Sequence, residues 1–359
     1  MSMNGVFFLI VCGCKTAVQE YTKTIGSSSE GSDTETIQVE DTAAEELNLY
    51  PELLMEESDG YEEWLTEAQN IGWEYLMALH TCDTNIECGN PMNHKVRIAG
   101  SQDSYDWVFL SEFPEVPGSV PDLVFRQGTL YLYAMHFRYR YNFEEGEWSE
   151  PTDVSVLNAA GELDRHVDPN PVLAEDGRIV LLYLNNDQNG DPASCVEFPC
   201  VKSFRMAVEK NGSDGTEFEL AQELISVELS QEQRIAADPD LFIGPDGYYI
   251  YLSRGQAIEV HKSTSLWGPY EPAYELPDHR ITRNGGGVPA GYYDWNTSMF
   301  WTFSTKHLDS TAFTDIRMVR HSSFEHQDEA EFESLGLLNF LEEGNLVSSP
   351  GLMVFKSSF

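Results

Sequence analysis

The chain has 359 residues, enough for one large domain or two ordinary ones, and 41% of them are hydrophobic, so most of it can bury a core. A net charge of −39, from 60 Asp and Glu against 21 Lys and Arg, excludes nucleic-acid binding, because nothing here could neutralise phosphates. The same charge would repel anionic lipid, and the aromatic content (17 Tyr, 19 Phe, 7 Trp) favours strands over helices.

Residues 6–14, Val-Phe-Phe-Leu-Ile-Val-Cys-Gly-Cys, form an apolar run too short to span a bilayer and suited to the core of a secretory signal. Val11-Cys12-Gly13-Cys14 has the form of a bacterial lipobox, with Cys14 as the lipidated first residue of the mature chain. Segment 1–14 is therefore expected to direct export to a bacterial periplasm or cell surface, with a lipid as the only membrane anchor. Met1–Gly5 carry no Lys or Arg, so an ordinary cleaved signal and an uncleaved cytoplasmic start stay open.

Residues 15–58 are rich in Ser, Thr, Gly and Glu and cannot bury enough surface to order themselves; they read as an acidic disordered linker. Residues 59–92 read as a helix and a disulfide loop packed on the body. Trp64, Leu65, Ala68, Ile71, Trp73, Leu76 and Leu79 recur at helical spacing, which predicts a helix from Tyr61 to Leu79. Cys82 and Cys88 follow, and Cys195 and Cys200 form a second local pair. An even count of close pairs in an exported chain predicts two short disulfides. The rival is a Cys/His metal site recruiting His80 or His94, but zinc spacing is usually tighter.

From about residue 93 the period changes to two and an internal repeat appears. Five segments share an x-Pro start: Val120-Pro121, Asp168-Pro169, Asp238-Pro239, Val288-Pro289 and Ser349-Pro350. Their prolines are 48, 70, 50 and 61 residues apart, a blade-sized period. In three copies a Gly turn follows (Gln127-Gly128, Asp176-Gly177, Asp246-Gly247), then an aromatic or aliphatic strand. A third alternating piece recurs at Val96–Ser101, Phe204–Val208, Ile258–Ser263 and Ile316–Ser322. Five starts predict an all-β, five-bladed propeller over 93–359. Val96–Ser101 precedes the first Pro-led strand and so belongs to the last blade, closing the ring. No aromatic strand follows Ser349-Pro350, which suggests a last blade cut short at the C-terminus.

These repeats, above all Asp168-Pro169, Asp238–Tyr251 and Ile258–Ser263, resemble those of five-bladed glycoside hydrolases of family 43, the arabinanases and xylosidases, and related exported propellers. The resemblance covers about residues 93–359 and is more specific for fold than for activity. It implies an inverting hydrolase in which carboxyl groups from the first three inner strands protonate the leaving oxygen and activate water. The matching positions here are Val120, Asp168 and Asp238. Blade one thus lacks an acid, and Asp122, on the same face by period two, is the substitute it offers. Asp122, Asp168 and Asp238 are the candidate catalytic residues, although Asp also commonly caps a turn before Pro.

Arg165, Arg234 and Arg283 precede the prolines of blades two to four and could grip an anionic sugar substituent; local ion pairing is the plainer account. His166 could position a ligand, and Trp295 could stack on a sugar ring. No Walker, Rossmann, Gly-x-Ser-x-Gly or His-Glu-x-x-His pattern is present. No cofactor or metal is expected; Ca²⁺ would suit so many carboxylates, but no twelve-residue loop encodes it. A monomer directed at carbohydrate is expected, either a hydrolase or a non-catalytic binding or structural lipoprotein.

Overall fold

In the computed structural model the five Pro-led segments are the innermost strands of five sheets. Residues 71–174, 176–186, 195–273, 280–281, 286–308, 313–324, 333–340 and 345–355 are described. Blade I runs outward from Pro121–Arg126 through Thr129–Ala134 and Phe137–Asn142, with short edge strands Glu147–Trp148 and Thr152–Asp153. Blade II is His166–Leu173, Ile179–Asn185, Cys200–Glu209 and Glu217–Leu229. It is extended by Ser155–Leu157, paired parallel to Glu217–Leu229, and by Leu163–Asp164. Blade III starts with Ala237–Gly244, Gly247–Ser253 and Ile258–Ser263, and blade IV is Gly287–Asp294, Met299–His307, Thr314–His321 and Glu333–Leu337.

Blade V joins the ends of the chain. Its innermost strand is Asn345–Val354, its second is Tyr75–Asp83 and its third is Lys95–Ser101. The placement of Val96–Ser101 in the last blade is therefore right, and the second strand of that blade is supplied by Tyr75–Asp83. The expected helix is corrected. Residues 61–70 lie outside the described residues, and the rest of that stretch leads into a strand, Tyr75–Asp83. The physical reason is visible in its burial. Leu76 and Ala78 pack into the seam with blade I, while Tyr75, Met77 and Leu79 pack into the seam with blade IV. A strand buried on both faces shows no period-two alternation and can pass for a helix.

The core is divided among five seams, one hydrophobic cluster between each pair of neighbouring blades. Alternate residues of each second strand serve opposite seams: Tyr131 and Tyr133 face blade II, Leu130 and Leu132 face blade V. Tight turns keep the strands in register. Gln127 and Gly128 are both left-handed (φ 49° and 75°), which matches the twist of a two-residue hairpin joining Arg126 to Thr129.

Candidate active site at the axial mouth

The starts of the five innermost strands surround one axial cavity, lined by Val120, Asp168, Asp238, Val288 and Ser349 with their prolines, and floored by Asp122 and Asp240. The space open to the centre of a water molecule is about 20 Å³, room for about one water. Every residue before a proline on this ring is left-handed, with φ of 48°, 53°, 45°, 49° and 55° in chain order. Pre-proline residues are barred from the right-handed helical region, and a left-handed valine is a true outlier, so the ring holds backbone strain five times over. In blades II, III and IV the strand register shifts at this residue.

The ring is clasped from blade to blade. The left-handed residue's N–H donates to a side chain of the preceding blade: Val120 to His80 Nδ1 (3.3 Å), Asp238 to Asp168 Oδ2 (3.2 Å), Val288 to Ser253 Oγ (3.0 Å), and Ser349 to Thr305 Oγ1 (3.1 Å). His80, Ser253 and Thr305 share one position, opposite the residue that precedes the left-handed one. Blade II has Leu184 there, opposite Val167, and leucine cannot accept a hydrogen bond. Asp168 supplies the acceptor instead.

Two residues on, a second tier repeats the device. Asn170 Oδ1 accepts the Leu241 N–H at 3.0 Å, and Asp240 Oδ2 accepts that of Gly291 at 2.8 Å. The corresponding partner of Asp122 is Pro171, which has no N–H. Asp122 therefore accepts from its own neighbour, Leu123 N (2.8 Å), and from Asn170 Nδ2, whose other carboxylate neighbour is Asp240 Oδ1 at 3.5 Å. Gly351 is the blade V member of this tier, and any Cβ there would stand 2.6 Å from Asp122 Oδ1.

Burial pushes the Asp122 carboxyl up to about 7, against weaker opposing hydrogen bonds from Asn170 and Leu123. Burial, then the nearby Asp122 charge, pushes Asp240 well above the carboxylate range. Among the described residues no group of three or more His, Cys, Asp and Glu side chains is placed to share a metal ion.

The structure thus brings Asp122, Asp168 and Asp238 to one cavity, on two levels. Asp168 and Asp238 are half-buried at the mouth, while Asp122 is 6% exposed beneath it. Period two does not carry Asp122 into the place of a mouth carboxylate, because the left-handed residue interrupts the alternation. Arg165 and Arg234 are exposed and lie just before strands that begin at the mouth; Arg234 stacks on Phe198 at 5.2 Å. Asp164, the acid next to Arg165 in the chain, is held by Arg205 Nη1 at 3.0 Å. His166 sits two residues before Asp168, its pKa lowered to about 4 by burial, and its Nε2 has no partner among the described residues. Trp295 does not join them. It follows the far end of strand Gly287–Asp294, seven residues and about 23 Å from Val288, so it belongs to the opposite face. Arg283 and Cys14 lie outside the described residues.

Cys82 is bonded to Cys88 and Cys195 to Cys200. Those bonds take the thiols from the rival metal site. His94 Nδ1 meets Ser119 Oγ at 2.9 Å, its Nε2 meets the Cys88 carbonyl at 2.8 Å, and its ring stacks on His80 at 4.3 Å. Sequence reasoning missed Asn170 and Asp240. Carrying the repeat alignment two residues past each x-Pro start would have shown Asp122, Asn170 and Asp240 in one column.

No family model matches the chain, and no curated protein matches it. Solved structures with a similar fold include an endo-1,5-α-L-arabinanase from Thermotoga petrophila, 13% identical over 57% of this chain and 51% of that one, with a TM-score of 0.43. A family 43 endo-arabinanase from Bacillus licheniformis is 14% identical, over 62% and 80% of the two chains, at 0.41. A xylan β-1,4-xylosidase from Bacillus halodurans is 16% identical, over 71% and 56%, at 0.41. The match spans about half the length of the Thermotoga petrophila enzyme. The five-bladed architecture itself stands on this chain's own strand pairing.

Proposed function

We propose that this is an exported, glycan-directed propeller, anchored by lipid through Cys14, whose site is the axial mouth and whose reaction is inverting glycoside hydrolysis. One observation supports it above the rest: Asp168 and Asp238 hold the same strained position on adjacent blades and line one cavity. In this reading Asp238 protonates the glycosidic oxygen as the bond breaks, and Asp168 takes a proton from the water that attacks the opposite side of the anomeric carbon. Arg165 and Arg234, exposed beside the mouth, contact the sugar chain. The test is turnover of aryl-arabinosides, aryl-xylosides and plant polysaccharides by wild type and by Asp168→Asn. Loss of turnover in the variant with retained affinity supports the reading.

A second reading, glycan binding without turnover, is favoured by Val120. It puts an isopropyl group where the first blade would present a base, leaving two carboxylates on the mouth ring. Saccharide affinity in the wild type with no hydrolysis of any substrate would decide for it.

A further inference from the structure

Three guanidinium groups of blade I meet where its seam with blade II reaches the face away from the mouth. Arg126 ends the innermost strand, and Arg138 and Arg140 lie on the third strand opposite Tyr133 and Tyr131. Their Cζ atoms stand 5.1, 5.7 and 5.9 Å from the centroid of the Tyr131 ring. A blade II hairpin inserts Asp214, itself left-handed at φ 54°, among them. Asp214 Oδ2 lies 3.1 Å from Arg140 Nη1 and 3.4 Å from Arg138 Nη2. Its Oδ1 accepts from the Tyr131 hydroxyl at 2.7 Å and lies 3.6 Å from Arg126 Nη2. Glu209 pairs with Arg126 and also accepts the N–H groups of Ile179 and Gly215.

Among the described residues the cluster has three cations and two carboxylates, in a chain whose net charge is −39. It is short of acceptors where the rest of the molecule has them in excess. Arg138 is 5% exposed, and its Nε has no acceptor among the described residues. A latch between two blades would need one pair; convergence of several planar donor forks on a single carboxylate is the arrangement that recognises an oxyanion. The side chains of Arg140 and Asp214 are 48% and 40% exposed, so the position held by Asp214 is open to solvent.

We propose that the Arg126, Arg138 and Arg140 cluster is a binding site for ligand carboxylate or sulfate groups, in which the Asp214 carboxylate is an intramolecular occupant that ligand displaces. Arg126 is five residues along its strand from Pro121, about 17 Å, so this site is separate from the mouth and does not rest on hydrolysis there.

Calorimetric titration of the full chain at constant ionic strength tests it, with sodium sulfate, an oligogalacturonate, and a neutral oligosaccharide of equal length as probes. Asp214→Asn should bind sulfate or oligogalacturonate at least tenfold more tightly than wild type, and adding Arg140→Gln should remove that gain. A gain with sulfate assigns the site to a free anion; a gain with oligogalacturonate alone assigns it to carboxylates carried on a glycan. No gain for a folded Asp214→Asn, or an equal gain with the neutral chain, overturns the proposal. If Asp214→Asn does not fold, wild type is compared with Arg140→Gln, whose altered side chain is half exposed. Sulfate should raise the melting temperature of wild type more than that of the variant, and equal rises overturn the site. Asp168→Asn should change none of these results, so failure here and failure at the mouth are told apart.

Discussion

Asp168 Oδ2 accepts the backbone N–H of Asp238 at 3.2 Å, so one mouth carboxylate holds the strand that carries the other. That bond gives Asp168 a structural duty as well as a proposed chemical one, and the two can be separated by substitution.

Asp168→Asn keeps an oxygen acceptor for Asp238 and should hold stability within about 0.5 kcal/mol, while turnover falls at least a hundredfold. Asp168→Ala leaves that N–H without its acceptor and should cost about 1–3 kcal/mol. Urea unfolding and hydrolysis assays on both variants check this. Equal destabilisation of the two would show that the clasp does not depend on the acceptor.

The carboxyl of Asp122 rises from an ordinary 3.8 to about 7 on folding, so the native state binds a proton that the unfolded chain releases. Its contribution is full below about pH 4 and is lost as pH rises through about 7, roughly 4 kcal/mol at most. The buried histidines act in the other direction below about 6.5, so the comparison to make is between wild type and Asp122→Asn. The stability of the variant relative to wild type should increase between pH 4 and 8, measured by urea midpoints. A constant difference across that range would refute the assignment.

His80 gives the opposite slope. Burial, then the neighbouring His94, pushes its pKa well below 6.5, so the stability it contributes is present above about 6.5 and is lost as pH falls. His80→Asn retains an acceptor for the Val120 N–H and should flatten the acid limb of the wild-type curve. Unfolding at pH 5 and pH 7.5 reads the change.

Gly351→Ala should destabilise by about 1–3 kcal/mol, because the added Cβ meets Asp122 and the Pro121 carbonyl and neither can withdraw from the axis. Combining it with Asp122→Ala should recover part of the loss. No recovery would place the clash on the backbone alone.

Reduction of Cys82–Cys88 and Cys195–Cys200 should loosen two loops and leave the propeller folded. The paired cysteines are only 6 and 5 residues apart in sequence, and closing so short a loop contributes about 2 kcal/mol. Limited proteolysis should cut near these loops after reduction while far-ultraviolet circular dichroism is unchanged. Mass spectrometry finding these four cysteines as free thiols in the native protein would refute both bonds.

The five x-Pro starts and the displaced strand Val96–Ser101 were enough to read the propeller and the blade that closes it. Both are local patterns: proline limits its own backbone and that of the preceding residue, and period two follows from strand geometry. The tertiary structure alone decided what those patterns meet. Tyr75–Asp83 is a strand because blades I and IV cover its two faces, and a run buried on both sides carries no period to read. Asp168 clasps Asp238 because Leu184 cannot, and Asp122 turns to Asn170 because Pro171 has no N–H. Asp214 reaches three arginines more than seventy residues away in sequence. Each of these contacts crosses a seam between blades, and the strands that share a seam come from distant parts of the chain. Their pairing is set by how whole blades pack, which no window of sequence records.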